Sequence, residues 1–318
     1  MQDFSRPRIG ISKCLLGHNV RYDGGHKLDR FIRDTLGRYV EFVPVCPEVE
    51  CGMDIPREAL RLVGDPEDPS LVTIRSGIDY TGQMQAWGAK RLQELEAEDL
   101  SGYIFKAKSP SSGMQRIKVY NQKGHPAPKG VGIWARMFME HFPLLPVEDE
   151  GRLNDPVLRE NFITRIFVYA SWRSLLAENK TRQGLVDFHT RHKLLLMAHH
   201  VPTYRELGRL VASPKDYDRE ELFQLYQERL CYTLSLRQTA KKNVNVLQHI
   251  AGYFKKDLSR DEKQELQELI QSYHQGLVPL VVPVTLLNHY VRKYQKAYLQ
   301  DQVYLFPHPL ELRLRNHV

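Results

Sequence analysis

The sequence predicts an α/β N-terminal domain built on a mainly parallel, Rossmann-like sheet, followed by an all-α C-terminal domain. Three observations predict it. At 318 residues the chain exceeds the roughly 100–200 residues of one ordinary core. Its first half alternates short unbroken apolar runs with amphipathic stretches of helical length, the pattern of a sheet crossed by helices. From Gly184 onward apolar residues recur at spacings of three and four, with only turn signals between the runs. The division that follows is an α/β domain over residues 1–150, a connecting helix over 151–183 and a helical domain over 184–318.

In chain order, Arg8 to Ser12 (RIGIS), Tyr39 to Val45 (YVEFVPV) and Gly102 to Lys106 (GYIFK) read as strands, each rich in β-branched or aromatic residues. A helix over Leu28 to Leu36 is expected after the first strand, and one over Met84 to Glu98 before the third. Between them DPEDPSLVTIRSGIDYTG reads as turn, short strand and turn, an insertion near the sheet edge. The helix Val131 to Phe142 closes this domain, and the acidic, turn-like EDEGRLNDP marks a boundary near residue 150. Asp155 with Pro156 starts a helix running to about Leu176, since proline is tolerated in a first turn. Then LVDFHTRHKLLLMAHH, ELFQLYQERLCYTLSL, NVLQHIAGYFKK and EKQELQELIQSYHQG read as helices, with SPKDYD and LVPLVVPVT as the turn signals between runs.

With 42% apolar and 26% charged residues, and no run of apolar residues as long as a membrane helix requires, the composition is that of a globular chain without membrane spans. The first ten residues, MQDFSRPRIG, show no apolar export signal, so a cytoplasmic, reducing location is expected. In that setting the four cysteines, Cys14, Cys46, Cys51 and Cys231, point to metal or thiol chemistry rather than disulfides. Charge divides unevenly. Residues 1–150 hold 20 Lys and Arg against 21 Asp and Glu, and residues 151–318 hold 25 against 17. A basic second half suits a polyanionic partner such as RNA, while a solubilising surface is the plainer alternative.

Each of the three strands runs into an unusual loop: Cys14-Leu-Leu-Gly-His-Asn-Val-Arg-Tyr-Asp-Gly-Gly, then Cys46-Pro-Glu-Val-Glu-Cys51-Gly-Met, then Lys108-Ser-Pro-Ser-Ser-Gly-Met. Parallel sheets bind ligands outside the carboxyl ends of their strands, so the three loops are expected to share one crevice. Cys14, Cys46 and Cys51 would give a three-sulfur face for a soft metal or cluster, leaving a coordination position open for substrate. The spacing has no CxxC pair and leaves open that Cys46 or Cys51 is an inert buried thiol. Glu48, in a proline-stiffened loop, is a carboxyl placed to move a proton or activate water, and otherwise a solvated surface group. Ser109, Ser111 and Ser112 with Gly113 offer hydroxyls and exposed backbone amides for a polar heterocycle or an anion, or an ordinary Ser-Pro turn. Arg21, Asp23, Arg57, Lys106 and Lys108 are further pocket candidates.

At SKCLLGHNVRYDGG, VCPEVECGMDIPR and KSPSSGM the chain resembles the thiouracil desulfidase (TudS) family over most of residues 8–148. From about Asp187 to Asn316 it is similar to the helical YbgA-type domain, through FHTRHKLLLMAHH, NVLQHIAGYFKK, VPVTLLNHYVRKY and YLFPHPLELRLRN. The combination resembles RudS-type proteins, which act on 4-thiouridine in tRNA. The resemblance implies a 4Fe-4S cluster on three cysteines whose unliganded iron takes the thiocarbonyl sulfur, with water replacing sulfur and no net redox change. By motif it implies Cys14 and Cys46 as ligands, Glu48 as the proton-handling carboxyl and Ser109 as the positioning hydroxyl. Ser112 departs from the family pattern, which has a cysteine there in many members. Cys51 is then the expected third ligand, as the one remaining cysteine of this domain.

In the second half, Arg191, His192 and Lys193, Lys241 and Lys242, Lys255 and Lys256, and Arg292 and Lys293 lie beside aromatics and histidines, a pattern suited to RNA phosphates and otherwise to a solvated helix face. His189, His192, His199 and His200 share one predicted helix and read as structural or RNA-contacting rather than as a second metal site. The leading expectation is a non-redox desulfidase converting 4-thiouridine in tRNA to uridine with release of sulfide. The alternatives are a desulfidase of free thiouracil or another small thiolated base, and a non-catalytic RNA-binding protein with a metal site.

Overall fold

The computed structural model describes residues 6–121, 123–213 and 216–317. Residues 1–5 of the expected first domain, and Pro214 and Lys215 of the SPKDYD turn signal, lie outside the described residues. The chain forms two compact units, Met1–Asp155 and Pro156–Val318. The expected class holds: the first unit is α/β with a parallel sheet and the second is all-helical. No helix among the described residues is long and apolar enough to cross a membrane.

The first unit is organised by strands β1 (Arg8–Ser12), β2 (Glu41–Val45), β5 (Leu100–Phe105) and β8 (Val147–Asp149), in the order β2-β1-β5-β8 with every pairing parallel. In β5 all six residues are buried, and Ile9 and Ile11 of β1 are inaccessible to solvent. That explains why apolar residues and glycine dominate both strands, because a central parallel strand is covered on both faces. The short helix α1 (Pro47–Glu50) follows β2, and the longer α2 (Thr81–Glu96) precedes β5. Against β5 lies α3 (Ile133–His141), where the rings of Tyr103, Phe105, Trp134 and Phe138 pack together and Trp134 Nε1 donates to the Tyr103 hydroxyl at 3.2 Å.

Two expectations change here. Leu28 to Leu36 is not an α-helix: a π-type turn over Phe31–Thr35 runs into a 3₁₀ turn over Leu36–Arg38. The side chain of Asp29 takes the Ile32 amide at 2.9 Å, and Ile32, Thr35 and Gly37 are weak helix formers. Nor is the DPEDPSLVT segment an edge insertion in the parallel sheet. Strands β3 (Leu60–Asp65), β4 (Asp68–Thr73), β6 (Ile117–Tyr120) and β7 (Pro126–Gly130) form a second sheet in the order β4-β3-β6-β7. Two antiparallel hairpins, one inserted after the β2 loop and one after the β5 loop, are joined by parallel pairing of Leu62 with Val119.

The second unit comprises α4 (Pro156–Glu178), α5 (Arg182–His199), α6 (Val201–Ala212), α7 (Arg219–Ser235), α8 (Ala240–Gly252), α9 (Arg260–His274), α10 (Val281–Lys293) and α11 (Ala297–Gln300). The LVPLVVPVT turn signal is half helix, since Val281–Thr285 opens α10 and Pro283 falls in a first turn whose amides lack intrahelical partners anyway. Side-chain caps begin four of the helices: Thr181, Asp218, Thr239 and Ser259, the last in a capping box with Glu262. The core gathers around Trp172, Phe188, Tyr226, Leu247 and Phe254, with Trp172 stacked on Tyr226 at 5.2 Å.

Three of the four histidines read on α5 and its end are part of this core. His189 Nδ1 meets the Tyr226 hydroxyl at 3.0 Å, His192 Nδ1 the Phe188 carbonyl at 2.7 Å, and His199 Nδ1 the Leu236 carbonyl at 2.6 Å. Burial holds each imidazole neutral, lowering them to about 4, 3 and 4 respectively.

Gly10, in the middle of β1, is where the Tyr103 ring crosses the sheet, and a methyl group there would overlap that ring. Gly10→Ala should therefore destabilise the N-terminal unit by about 1–3 kcal/mol, the usual range for an overpacked core. Urea unfolding followed through Trp87 and Trp134 measures it, and an unchanged midpoint would contradict the packing. A second expectation concerns acid. Because the buried histidines bind protons more weakly folded than unfolded, the unfolded chain gains protons first as pH falls below about 6.5. The helical unit should lose stability progressively from there towards about pH 4, seen as a falling denaturation midpoint in circular dichroism.

Candidate active site

Parallel pairing of β1 with β2 and β5 sends all three following loops out at one edge of the sheet. Residues from all three line a single cavity of about 360 Å³. Cys14 sits in a 3₁₀ turn over Lys13–Leu16 directly after β1, and its carbonyl accepts the amides of Gly17 and Lys27 at 3.3 and 3.0 Å. Cys46 directly follows β2 and stands at the N-cap position of α1, with Pro47 preset for the first helical position. Its amide donates to the Glu50 carboxylate at 2.8 Å. Cys51 ends α1, so the five-residue spacing of the two cysteines is one short helical turn with a thiol at each end.

All three thiols are nearly buried, and burial together with the charge of Glu48 raises Cys14 to about 11, Cys46 to about 12 and Cys51 to about 11. They are protonated as they stand, and any metal they bind displaces protons. Cys14 and Cys46 line the cavity. Cys51 does not: its Sγ faces the Glu48 carbonyl at 3.2 Å. Among the described residues no three His, Cys, Asp or Glu side chains close around a point as one small ion requires. A cluster spreads its thiolates more widely, and donors of this softness suit it.

Glu48 is the hub. Ser111 Oγ donates to Glu48 Oε1, Ser109 Oγ lies 2.8 Å from Ser111 Oγ, Cys46 Sγ is 3.5 Å from Glu48 Oε2, and Arg57 Nη2 stands 3.9 Å from the same oxygen. The serine loop folds on itself. Ser109 Oγ accepts the amides of Ser111 and Ser112 at 3.3 and 3.1 Å, and Gly113 has room only for hydrogen because a Cβ would collide with Ile117 and the Ser109 carbonyl. The Ser111 and Ser112 amides expected to grip an anion are thus already paired. Ser111 is wholly buried and reaches the cavity only through its neighbours, whereas Ser109 and Ser112 line it.

Arg57 is held by the Val20 and Asp54 carbonyls at 3.1 and 3.3 Å, with its Nε left unpartnered. Arg21 lines the cavity and lies 3.4 Å from Asp23, which itself stays outside and fixes the turn through the Gly25 amide at 3.1 Å. Lys106 and Lys108 line the wall, and so do Lys13 and Lys27, which sequence reasoning missed. Six cationic side chains therefore face this volume against the single carboxylate of Glu48. Glu150 was missed too: it pairs with the Lys106 ammonium and takes the Ala107 amide at 2.6 Å. It lay in a segment read only as an acidic turn, and nothing local in the sequence ties it to Lys106.

The candidate RNA residues of the helical unit divide into groups. His192 is 2% exposed and stacked on Phe188, so it is packed inside its unit and turned away from any polyanion. Lys242 donates to the His199 and Arg237 carbonyls at 2.6 and 2.8 Å, and Lys293 pairs with Glu262 at 2.7 Å. Arg191, Lys241, Lys255, Lys256 and Arg292 are exposed. Lys193 lies 4.7 Å over the Tyr298 ring, which stacks on exposed Tyr253 at 5.3 Å.

Comparison with known families agrees with this two-unit reading. Residues 9–150 match the 2-thiouracil desulfurase family, and residues 193–309 match a family described as a protein of unknown function, DUF1722. The uncharacterised protein YbgA of Escherichia coli (strain K12) is 34% identical over 157 residues, covering 48% of this chain and 93% of YbgA. The uncharacterised protein YbbK of Bacillus subtilis (strain 168) is 32% identical over 110 residues, 33% of this chain and 72% of YbbK. Among solved structures, the [4Fe-4S]-dependent thiouracil desulfidase TudS is 28% identical and covers 50% of this chain and 100% of its own, with a TM-score of 0.40.

Proposed function

The chain belongs to the 2-thiouracil desulfurase family through residues 9–150, and from that membership we propose that it is an iron-sulfur-dependent desulfidase acting on 4-thiouridine in tRNA. The observation that carries the reading is the composition of one cavity: two buried thiols, a carboxylate tethered to a pair of serines, and six cationic side chains. Cys14, Cys46 and Cys51 are the residues that would hold a 4Fe-4S cluster, with Cys51 turning from its bond to the Glu48 carbonyl. When bound, the cluster supplies a soft Lewis acid for the sulfur of a thiocarbonyl.

The chain's own residues supply the remainder. Glu48 takes a proton from the water that replaces sulfur, and the bond from Ser111 sets the direction of its carboxylate. Ser109, at the end of that relay, faces the cavity and orients the pyrimidine. Ser112 stands beside it on the wall. Thiocarbonyl and water become carbonyl and hydrogen sulfide, so the balance needs no oxidant or reductant. Arg21, Arg57 and Lys106 each stand beside a carboxylate, so Lys13, Lys27 and Lys108 give this volume its surplus positive potential, which favours a base carrying phosphates over a neutral free base. On the helical unit, exposed Tyr253 with Lys255 and Lys256 provides a ring for an unpaired base and charge for its phosphates, in keeping with that unit's basic balance.

Protein purified and reconstituted without oxygen should remove the thiouridine absorbance of tRNA and release sulfide, with tRNA affinity falling steeply as salt rises. Turnover of free thiouracil alone would turn the reading towards small bases, and no turnover of either would end it. Glu48→Gln should lower kcat by about 10²–10⁴-fold with its iron retained. Cys51→Ala should lose iron and visible absorbance, and a full iron complement in that variant would remove Cys51 from the ligand set.

A further inference from the structure

Lys106 is anchored in a way that mere lining of a cavity does not require. It is the first residue beyond β5, and its amide donates to Ser12 Oγ, at the end of β1, at 2.9 Å. Its ammonium is bound by the carboxylate of Glu150 and donates to the Ala107 carbonyl at 2.8 Å. Glu150 comes from just beyond β8, the neighbouring parallel strand, where Phe105 pairs with Asp149. Its second oxygen accepts the Ala107 amide, so one carboxylate fixes both the lysine head group and the backbone from which the serine loop departs. The two side chains are 18% and 15% exposed.

A largely buried ion pair is a poor way to stabilise a fold. Desolvating both charges offsets most of their attraction, and apolar side chains of the same size serve as well or better. What the pair does provide is position. A lysine ammonium has three donors, and two are committed here, to Glu150 and to the Ala107 carbonyl. One is left, on a residue that lines the same cavity as Cys14, Glu48 and Ser109. Cys14 feels both charges of the pair, the lysine lowering its thiol and the glutamate raising it.

We infer that Glu150 is a positioning residue for the reaction: it locks Lys106 so that the free donor meets the negative charge that develops as water adds to the thiocarbonyl carbon and the carbon–sulfur bond breaks. The role rests on the desulfidase reading given above. A preorganised donor aimed at developing charge acts on the transition state more than on bound substrate, so its loss falls on kcat rather than on KM. Unanchored, the lysine wanders over several rotamers, and misplacement of this order costs about 100-fold in rate.

The test uses full-length, anaerobically reconstituted protein with thiolated tRNA as substrate. Glu150→Gln keeps an acceptor for the Ala107 amide while removing the counter-charge, and Lys106→Met keeps the aliphatic stem. Each single variant should lower kcat by about 10- to 100-fold with KM within about twofold of the parent and with iron content and visible spectrum unchanged. The double variant should be no slower than the slower single, because the two residues act as one unit. Parent-like kcat in Glu150→Gln, or full additivity in the double variant, overturns the inference. So does loss of iron in Glu150→Gln, which would make the residue a support of the metal site. Should the parent protein itself turn over no thiolated substrate, the desulfidase reading fails instead, a result that the parent control alone reveals.

Discussion

The site depends on parallel strand pairing. Because β2, β1 and β5 run in one direction, the residues that follow each strand emerge at the same edge, and groups as distant in sequence as Cys14 and Ser109 meet in one volume. No antiparallel arrangement of the same segments would do this, since alternate loops would leave at opposite edges. The aromatic packing of Tyr103, Phe105, Trp134 and Phe138 keeps β5 in register beneath this edge, and the tie between Ser12 and Lys106 joins the first strand to the last of the three loops.

The electrostatics of the cavity follow from what each loop contributes. Glu48 is surrounded by donors: Ser111, Arg57 across a wider gap, and the Cys46 thiol. Its charge in turn is one reason the neighbouring thiols hold their protons so firmly. A largely positive wall around one central carboxylate favours an anionic guest over a cationic one.

Much of this was legible in the sequence, and the exceptions have physical causes. RIGIS was read as a strand at its observed limits because its two β-branched isoleucines, both inaccessible to solvent, stand in a short segment with no helical spacing. The three loops were recognisable from residue types that ordinary turns seldom need. The second sheet was not, because its hairpins are short, partly exposed strands whose partners are distant in sequence, such as Leu62 and Val119. Helix propensity misled at Leu28–Leu36, where Asp29 caps a helical start but the backbone from Phe31 closes as a π-type and then a 3₁₀ turn ending at the weak helix former Gly37. His192 was read as structural or RNA-contacting and grouped with its neighbours Arg191 and Lys193 as an RNA candidate; on a helix adjacent residues face different ways, and it points inward, as the structural reading has it. Glu150 and the role of Ser111 are properties of tertiary contact alone.

The placement of the two β-hairpins carries a consequence of its own. Both leave the parallel sheet from its functional edge, and the first brings Ala59 and Leu60 to the cavity wall. They pair chiefly with each other, so the strands that lead into the thiols have no ladder partner in either hairpin. A lineage, or an engineer altering the first hairpin, has a route to reshape the wall at Ala59 and Leu60 for a bulkier or smaller guest while leaving the thiol-bearing strands in place.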